Sequence, residues 1–188
     1  MHIAKYDNTD IEKHLEEFEK KYNFTFPDQY RKFLLKYNGG DTPKTEFKFN
    51  RREFILLGFY GLGNVRKVSN YECIDSWLLE IEFKDNVIRI GSIVHGDKVL
   101  IGLEGEIRGK IYLRYSHGPK KYIKLCDDFK SFTEMCKSEE IGHIETIEER
   151  IENMKKLGRE AMIEELMPMW KESIEYYKNV KLEELVVE

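Results

Sequence analysis

Paired cysteines, metal-spaced histidines, catalytic signatures and long apolar runs are all missing from this chain. Cys73, Cys126 and Cys136 make an odd count with no Cys-x-x-Cys pair, which argues against a disulfide framework or a thiolate zinc site and for reduced thiols. The histidines (His2, His14, His95, His117 and His143) are scattered, and none has a second ligand at a spacing such as His-x-x-x-His. There is no Gly-x-Ser-x-Gly elbow, no phosphate-cradling Gly-x-x-x-x-Gly-Lys loop and no cysteine with an identifiable base partner. Gly61-Leu62-Gly63-Asn64-Val65 opens like a dinucleotide-binding turn, but Arg66 holds the third glycine's place and no strand–helix–strand unit follows, so it reads as a glycine-rich turn. No apolar run approaches the roughly 18 residues that span a bilayer. The opening MHIAKYDNTD lacks the basic-then-apolar pattern of a signal peptide. The expectation is a cytoplasmic protein that is not an enzyme, with no catalytic residue, no cofactor, no metal and no membrane partner.

Apolar residues at 41% and aromatics at 13% suffice for a substantial core in 188 residues, under a surface heavily solvated by 35% charge. That charge is unevenly placed. Residues 139–188 hold 14 acidic and 7 basic side chains, against 21 and 24 in residues 1–138. The acidic end disfavours nucleic acid there and suits a basic protein, or serves only as a solvated helical face.

Residues 9–40 read as two amphipathic helices and a stop. Thr9 and Glu12 have capping-box spacing, and Ile11, Leu15, Phe18 and Tyr22 line one helical face. Pro27 suits the first position of a second helix whose stripe is Tyr30, Phe33, Leu34 and Tyr37. Asn38-Gly39-Gly40 ends it, because a left-handed cap favours Gly and tolerates Asn. Asp41-Thr42-Pro43 reads as loop and residues 45–50 as a half-buried strand. Phe54–Leu57 reads as a strand buried on both faces. Tyr71, Ile74, Leu78 and Ile81 fit a helix over 68–83, with Trp77 on its stripe.

From Asn86 the texture is β. His95-Gly96-Asp97-Lys98 is a turn between two apolar strands, and residues 110–116 alternate with Ile111, Leu113 and Tyr115 on the core side. Tyr112 and Arg114 fall on the other side, facing solvent or a partner. Residues 121–125 make a last short strand, and Asp127 or Asp128 caps a helix bearing Phe129 and Phe132. Two further stripes follow: Ile144, Ile147, Ile151 and Met154, then Ile163, Leu166, Trp170, Ile174 and Tyr177, with Pro168 expected to kink or restart the second helix.

These blocks, in this order, resemble the SUKH superfamily of bacterial immunity proteins and fungal cell-wall-assembly regulators. The resemblance rests on the helix–Phe26-Pro27–helix–Asn-Gly-Gly opening, on IRIGSIVHGDKVLIGL, on GKIYLRYSH and on DDFKSFTEM, and covers about residues 9–137. One departure is Gly102, where many relatives carry Asp. The resemblance implies an α+β fold: a largely antiparallel sheet flanked by helices over residues 1–138, to which residues 139–188 add an acidic C-terminal helical extension. It further implies an immunity protein that binds a cognate bacterial toxin domain, possibly a nuclease, by occlusion. A regulatory or scaffold domain with no toxin partner is the alternative. The candidate partner-binding residues are Asp97, Tyr112, Arg114, His117, Glu148, Glu149 and Glu152, on a monomer or homodimer with no nucleic acid ligand.

Overall fold

Both N-terminal stripes become helices. Ile11–Tyr22 (α1) buries Ile11, Leu15 and Phe18, and Asp28–Tyr37 (α2) buries Tyr30, Phe33, Leu34 and Tyr37. Their starts differ from expectation. Helix α1 begins one residue too late for Thr9 to cap it; Thr9 instead donates from its amide and hydroxyl to Asp7 Oδ1 at 2.9 and 2.6 Å. Pro27 is itself the N-cap of α2, extended at φ −55° and ψ 139°. The buried Glu19 carboxylate secures the connection, accepting from the Phe26 amide at 2.8 Å and from Arg31 Nε at 3.4 Å.

The computed structural model describes residues 1–63, 85–117 and 121–188, so the helix expected over 68–83, Trp77, Cys73 and the Asn64–Arg66 part of the glycine turn lie outside the described residues. Internal contacts group Met1–Glu139 with Leu182–Glu188 as a first unit and Glu140–Lys181 as a second.

Among the described residues of the first unit nine strands form one sheet: β1 (His2–Lys5), β2 (Gly40–Phe49), β3 (Arg52–Phe59), β4 (Val87–Ile93), β5 (Lys98–Gly102), β6 (Ile111–Arg114), β7 (Tyr122–Cys126), β8 (Lys137–Ser138) and β9 (Glu183–Glu184). Their order is β7-β6-β5-β4-β3-β2-β1-β9, with β8 also on β2 and every strand pair antiparallel. The α+β class expected from the sequence is the one observed. Asp41-Thr42-Pro43 is part of β2, across an irregularity in its pairing with β3 between Asp41 and Thr45. Asn50 and Arg51, at φ 47° and 64°, make the two-residue turn from β2 to β3, whose two left-handed positions match strand twist.

Helix α3 (Phe129–Met135) starts at Asp128, whose carboxylate accepts the Ser131 amide at 2.8 Å. Phe129 meets the rings of Tyr30, Phe33 and Phe59 at centroid distances of 5.1, 5.0 and 5.3 Å, so α2, α3 and the sheet share one aromatic core. Burial pushes the Cys136 thiol up to about 12, which leaves it inert.

Asn38 joins the pieces. It caps α2 at φ 51°, and its buried side-chain amide donates to Asp7 O at 2.7 Å and Leu62 O at 2.9 Å while accepting the Leu62 amide at 2.8 Å. A Cβ on Gly39 would stand 2.6 Å from Phe59 O, and one on Gly40 2.5 Å from Ala4 O. The Asn-Gly-Gly stop is therefore also where the helix pair meets β1 and β3.

The last residues return to this unit. Strand β9 pairs with β1, Leu185 N donates to Met1 O at 2.9 Å, Val186 N to Tyr37 Oη at 3.0 Å, and Leu185 and Val187 are buried in the core. Leu182–Glu188 thus bury apolar residues and fill backbone bonds within the sheet unit.

The second unit holds α4 (Ile147–Lys156), started by a capping box between Thr146 and Glu149, and α5 (Ile163–Asn179). Helix α5 runs through Pro168 instead of restarting there. Trp170 is its one buried residue.

Replacing Asn38 with alanine strands the Leu62 amide, the Leu62 carbonyl and the Asp7 carbonyl in a buried site, a loss expected to cost about 3 kcal/mol. Urea unfolding should show a lower midpoint with an unchanged slope. A chain ended at Lys181 should likewise melt earlier, since β1 loses β9 and the core loses Leu185 and Val187.

Candidate protein-interaction surface

Residues paired directly across neighbouring strands share a sheet face. The observed register therefore lines up Tyr122, Arg114, Lys98, Ser92, Gly58, Asp41 and Ala4 as one row crossing seven strands on the face opposite the Leu56, Val99 and Leu113 side chains. Beside this row β3 buries Phe54 and Leu56 and turns Ile55 and Leu57 outward, 49% and 50% exposed. This corrects the expectation that Phe54–Leu57 is buried on both faces. Ile55 faces Glu46 of β2, and Lys48 faces Glu53, so the outer side of this hairpin is an apolar pair among charges.

Where Gly58 lacks a side chain, the strand backbone floors a groove of about 410 Å3, whose walls include Tyr6, Asp41, Leu57, Ser92, His95 and Lys98. Tyr6 Oη donates to Asp41 Oδ1 at 3.0 Å, which holds that carboxylate at one side of the groove. Lys98 and Arg114, adjacent in the row, supply positive charge on the β5–β6 side. On the β2–β3 side the protonated Glu46 carboxyl can donate a hydrogen bond to Glu53, which raises it above its usual range and marks crowded negative charge. The face can thus grip an apolar side chain while discriminating charge at its two ends.

Four of the seven residues singled out in the sequence gather near the β5–β6 end. Asp97 does not present a free carboxylate: its Oδ1 accepts the Ser116 amide at 2.8 Å, while Ser116 Oγ donates to His95 O at 2.9 Å, so it locks the hairpin turn onto the end of β6. His117 is exposed just beyond. Arg114 lies in the cross-strand row. Tyr112 sits in the next row, with Arg89, Leu100 and Lys124, but Arg89 and Leu100 are buried, so the Tyr112 side is only partly open. That partial burial raises the Tyr112 phenol pKa.

Glu148, Glu149 and Glu152 belong to the second unit, exposed on α4. Two of them already have local roles. Glu149 closes the capping box and also contacts His143 Nε2 at 2.9 Å; the Thr146 amide, then the His143 contact, hold its carboxyl low. Glu152 pairs with Lys156 at 2.8 Å.

Sequence reading passed over Ile55, Leu57, Tyr6, Asp41 and Ser92. The signal for the first two was present: matching residues 45–49 to 52–56 around an Asn50-Arg51 turn puts Glu46 opposite Ile55. It also passed over Arg108, whose guanidinium donates to Leu103 O, Thr25 O and Phe26 O at 2.6, 2.9 and 3.1 Å and pins the α1–α2 connection to the loop after β5. Gly102 has a steric reason: a Cβ there would lie 1.9 Å from Ile107 O, so no larger side chain fits this loop. Among the described residues no group of three His, Cys, Asp or Glu side chains could hold a metal ion, and no helix is long and apolar enough to cross a membrane.

A helix–Pro–helix–Asn-Gly-Gly opening leading into an antiparallel meander with one open, chemically mixed face defines an α+β domain of the SUKH type. The SMI1 / KNR4 family (SUKH-1) matches residues 12–135, and the chain belongs to that family. The match runs from the start of α1 to the end of α3, leaving β1, β8, β9 and the second unit outside it. No curated protein and no solved structure matches the chain.

Placing aspartate at both Ile55 and Leu57 should cost no more than about 1 kcal/mol per site, Glu46 opposite Ile55 adding like-charge repulsion to an otherwise ordinary surface change. Leu56→Ala, one residue away but fully buried, should cost about 2–5 kcal/mol. Urea midpoints of the two variants decide whether the outer face is open as described.

Glu149 yields a pH prediction. Its folded carboxyl pKa lies below the unfolded value, so its support of α4 is present above the ordinary Glu pKa of about 4.3 and is lost as pH falls through the lower folded value. Helicity at acid pH should therefore fall later in Glu149→Gln than in the parent, because that variant has no charge left to lose there.

Proposed function

We propose that this protein is an immunity protein, which neutralises a cognate bacterial toxin domain by laying the outer face of its sheet over the toxin's active cleft. The observation that carries the proposal is the half-exposed Ile55–Leu57 pair, set between acidic Glu46 and Glu53 and the basic Lys98–Arg114 end of a groove. Exposed apolar side chains next to a charged rim are what partner surfaces offer to a central anchor residue. Membership in the SMI1 / KNR4 family (SUKH-1) supports the same reading, being consistent with an immunity role.

Inhibition by occlusion asks no chemistry of the protein. The groove takes a side chain of the toxin, the flat row beside it excludes water, and opposed charge at the two ends sets the orientation and speeds encounter. A nuclease is the toxin class we favour, since its basic groove would suit the acidic residues 139–188.

Co-expression with the toxin domain encoded next to it tests the proposal. Cells should survive with the intact protein and die with the Ile55→Asp/Leu57→Asp variant, whose fold is expected to hold. Equal killing with and without the intact protein would sink the immunity reading for that pair and leave the regulatory-scaffold role.

A further inference from the structure

A two-residue hairpin turn with both residues at positive φ usually has glycine second, because a Cβ there crowds the neighbouring carbonyl. In the β2–β3 turn that position, at φ 64°, is held by Arg51. Five of the other non-glycine residues at positive φ are Asp10, Asn23, Asn38, Asn50 and Asn86, whose short polar side chains tolerate the region. The remaining two, Lys44 and His95, each give a carbonyl to another segment. Lys44 O accepts the Glu139 amide at 3.0 Å, and His95 O accepts the Ser116 hydroxyl at 2.9 Å. Arg51 is different: it is exposed, and among the described residues its guanidinium has no hydrogen bond, ion pair or ring contact. Nothing inside the chain offsets the cost of a long side chain at this position.

The backbone beneath Arg51 is well anchored. Phe47 and Phe54 stack across the two strands at 5.2 Å, and the Arg52 guanidinium lies 6.0 Å over the Tyr115 ring. The turn is therefore fixed before any partner arrives, which lowers the ordering cost of a contact there. Lys48 and Arg52 add positive charge at this end of the hairpin, against Glu53 opposite Lys48 and Glu46 two pairs further in.

We propose that Arg51 is a specificity-determining contact of the partner surface: the β2–β3 turn enters the partner protein's cleft, where the Arg51 guanidinium engages a carboxylate. Arg51 stands four residues from Ile55, about 13 Å of strand. An interface of ordinary size, about 800 Å2 on each partner, covers both. The occupant is a protein and not a nucleic acid. Glu46 and Glu53 on the same hairpin repel a continuous phosphate chain, whereas exposed Ile55 and Leu57 suit apolar protein surface beside the ion pair. Arginine fits the role, since its planar fork can give two parallel bonds to one carboxylate and it is enriched among partner-binding anchors. Clefts that cut phosphodiesters hold metal ions with carboxylates, so a cleft with basic walls can still present one at its centre. This inference rests on the immunity reading and names one contact, with its chemical counterpart, inside that interface.

The test measures binding of the full-length protein to the toxin domain encoded next to it by calorimetry, alongside urea unfolding of the protein alone. Arg51→Gly relieves the left-handed position, so its urea midpoint should equal or exceed the parent's. Its affinity for the toxin domain should nonetheless fall by about tenfold or more, with a shallower dependence on salt. Lys32→Gln, which removes the same charge from an exposed position on α2, should bind as the parent does. Unchanged affinity in Arg51→Gly, an equal loss in Lys32→Gln, or a lower urea midpoint in Arg51→Gly would overturn the proposal. Parent binding that Arg51→Gly leaves intact sinks this inference alone, and the immunity reading stands. A parent that neither binds nor protects sinks the immunity reading, and this contact with it.

Discussion

The buried side-chain amide of Asn38 holds three distant segments together: the exit of β1 through Asp7, the end of the helix pair, and the chain leaving β3 through Leu62. A polar group costs free energy in an apolar interior unless its bonds are filled, and this one fills them with backbone that has no strand or helix partner at that point. The two glycines that follow extend the constraint, since backbone passes within a bond's reach of where their side chains would stand. An Asn-Gly-Gly stop thus does more than end a helix. It fixes where the helices sit on the sheet.

Because α1, α2 and α3 put their aromatic residues on one side, the other side of β3 is left uncovered at Ile55 and Leu57. The interaction surface follows from that asymmetry and from register. A shift of one residue between β2 and β3 would turn Phe54 and Leu56 outward, so the core that selects the pairing also decides which residues face a partner. Asp97, tied to Ser116, keeps the β4–β5 turn in place at the charged end of the same face.

The chain leaves the sheet unit after Glu139 and returns to it at Leu182. Ser138 of β8 bonds Thr45 and the His2 amide, and β9 pairs with His2 and Ile3. Helices α4 and α5 thus lie, in chain order, between two stretches of the sheet unit.

Much of this was legible in the residues. Stripes such as Tyr30–Phe33–Leu34–Tyr37, the Asp128 cap and the His95–Lys98 turn all act within one or two helical turns or one hairpin, so pattern alone finds them. The candidate site was less legible. Tyr112 and Arg114 were correctly set opposite Ile111 and Leu113, yet the burial of Leu100 and Arg89 beside Tyr112 depends on what covers that row, which no alternation encodes. Asp97 was found as a turn residue, but its bond to Ser116, like the bonds of Glu19 and Arg108, joins residues whose meeting depends on the fold. Element type and the family pattern were thus determined by the sequence itself, because they arise from neighbours along the chain. Tertiary structure alone decided that Leu182–Glu188 close the sheet edge and that Asn38 is the hub. Each depends on pairing between segments far apart in the chain, where burial and register choose among alternatives that local periodicity leaves equal.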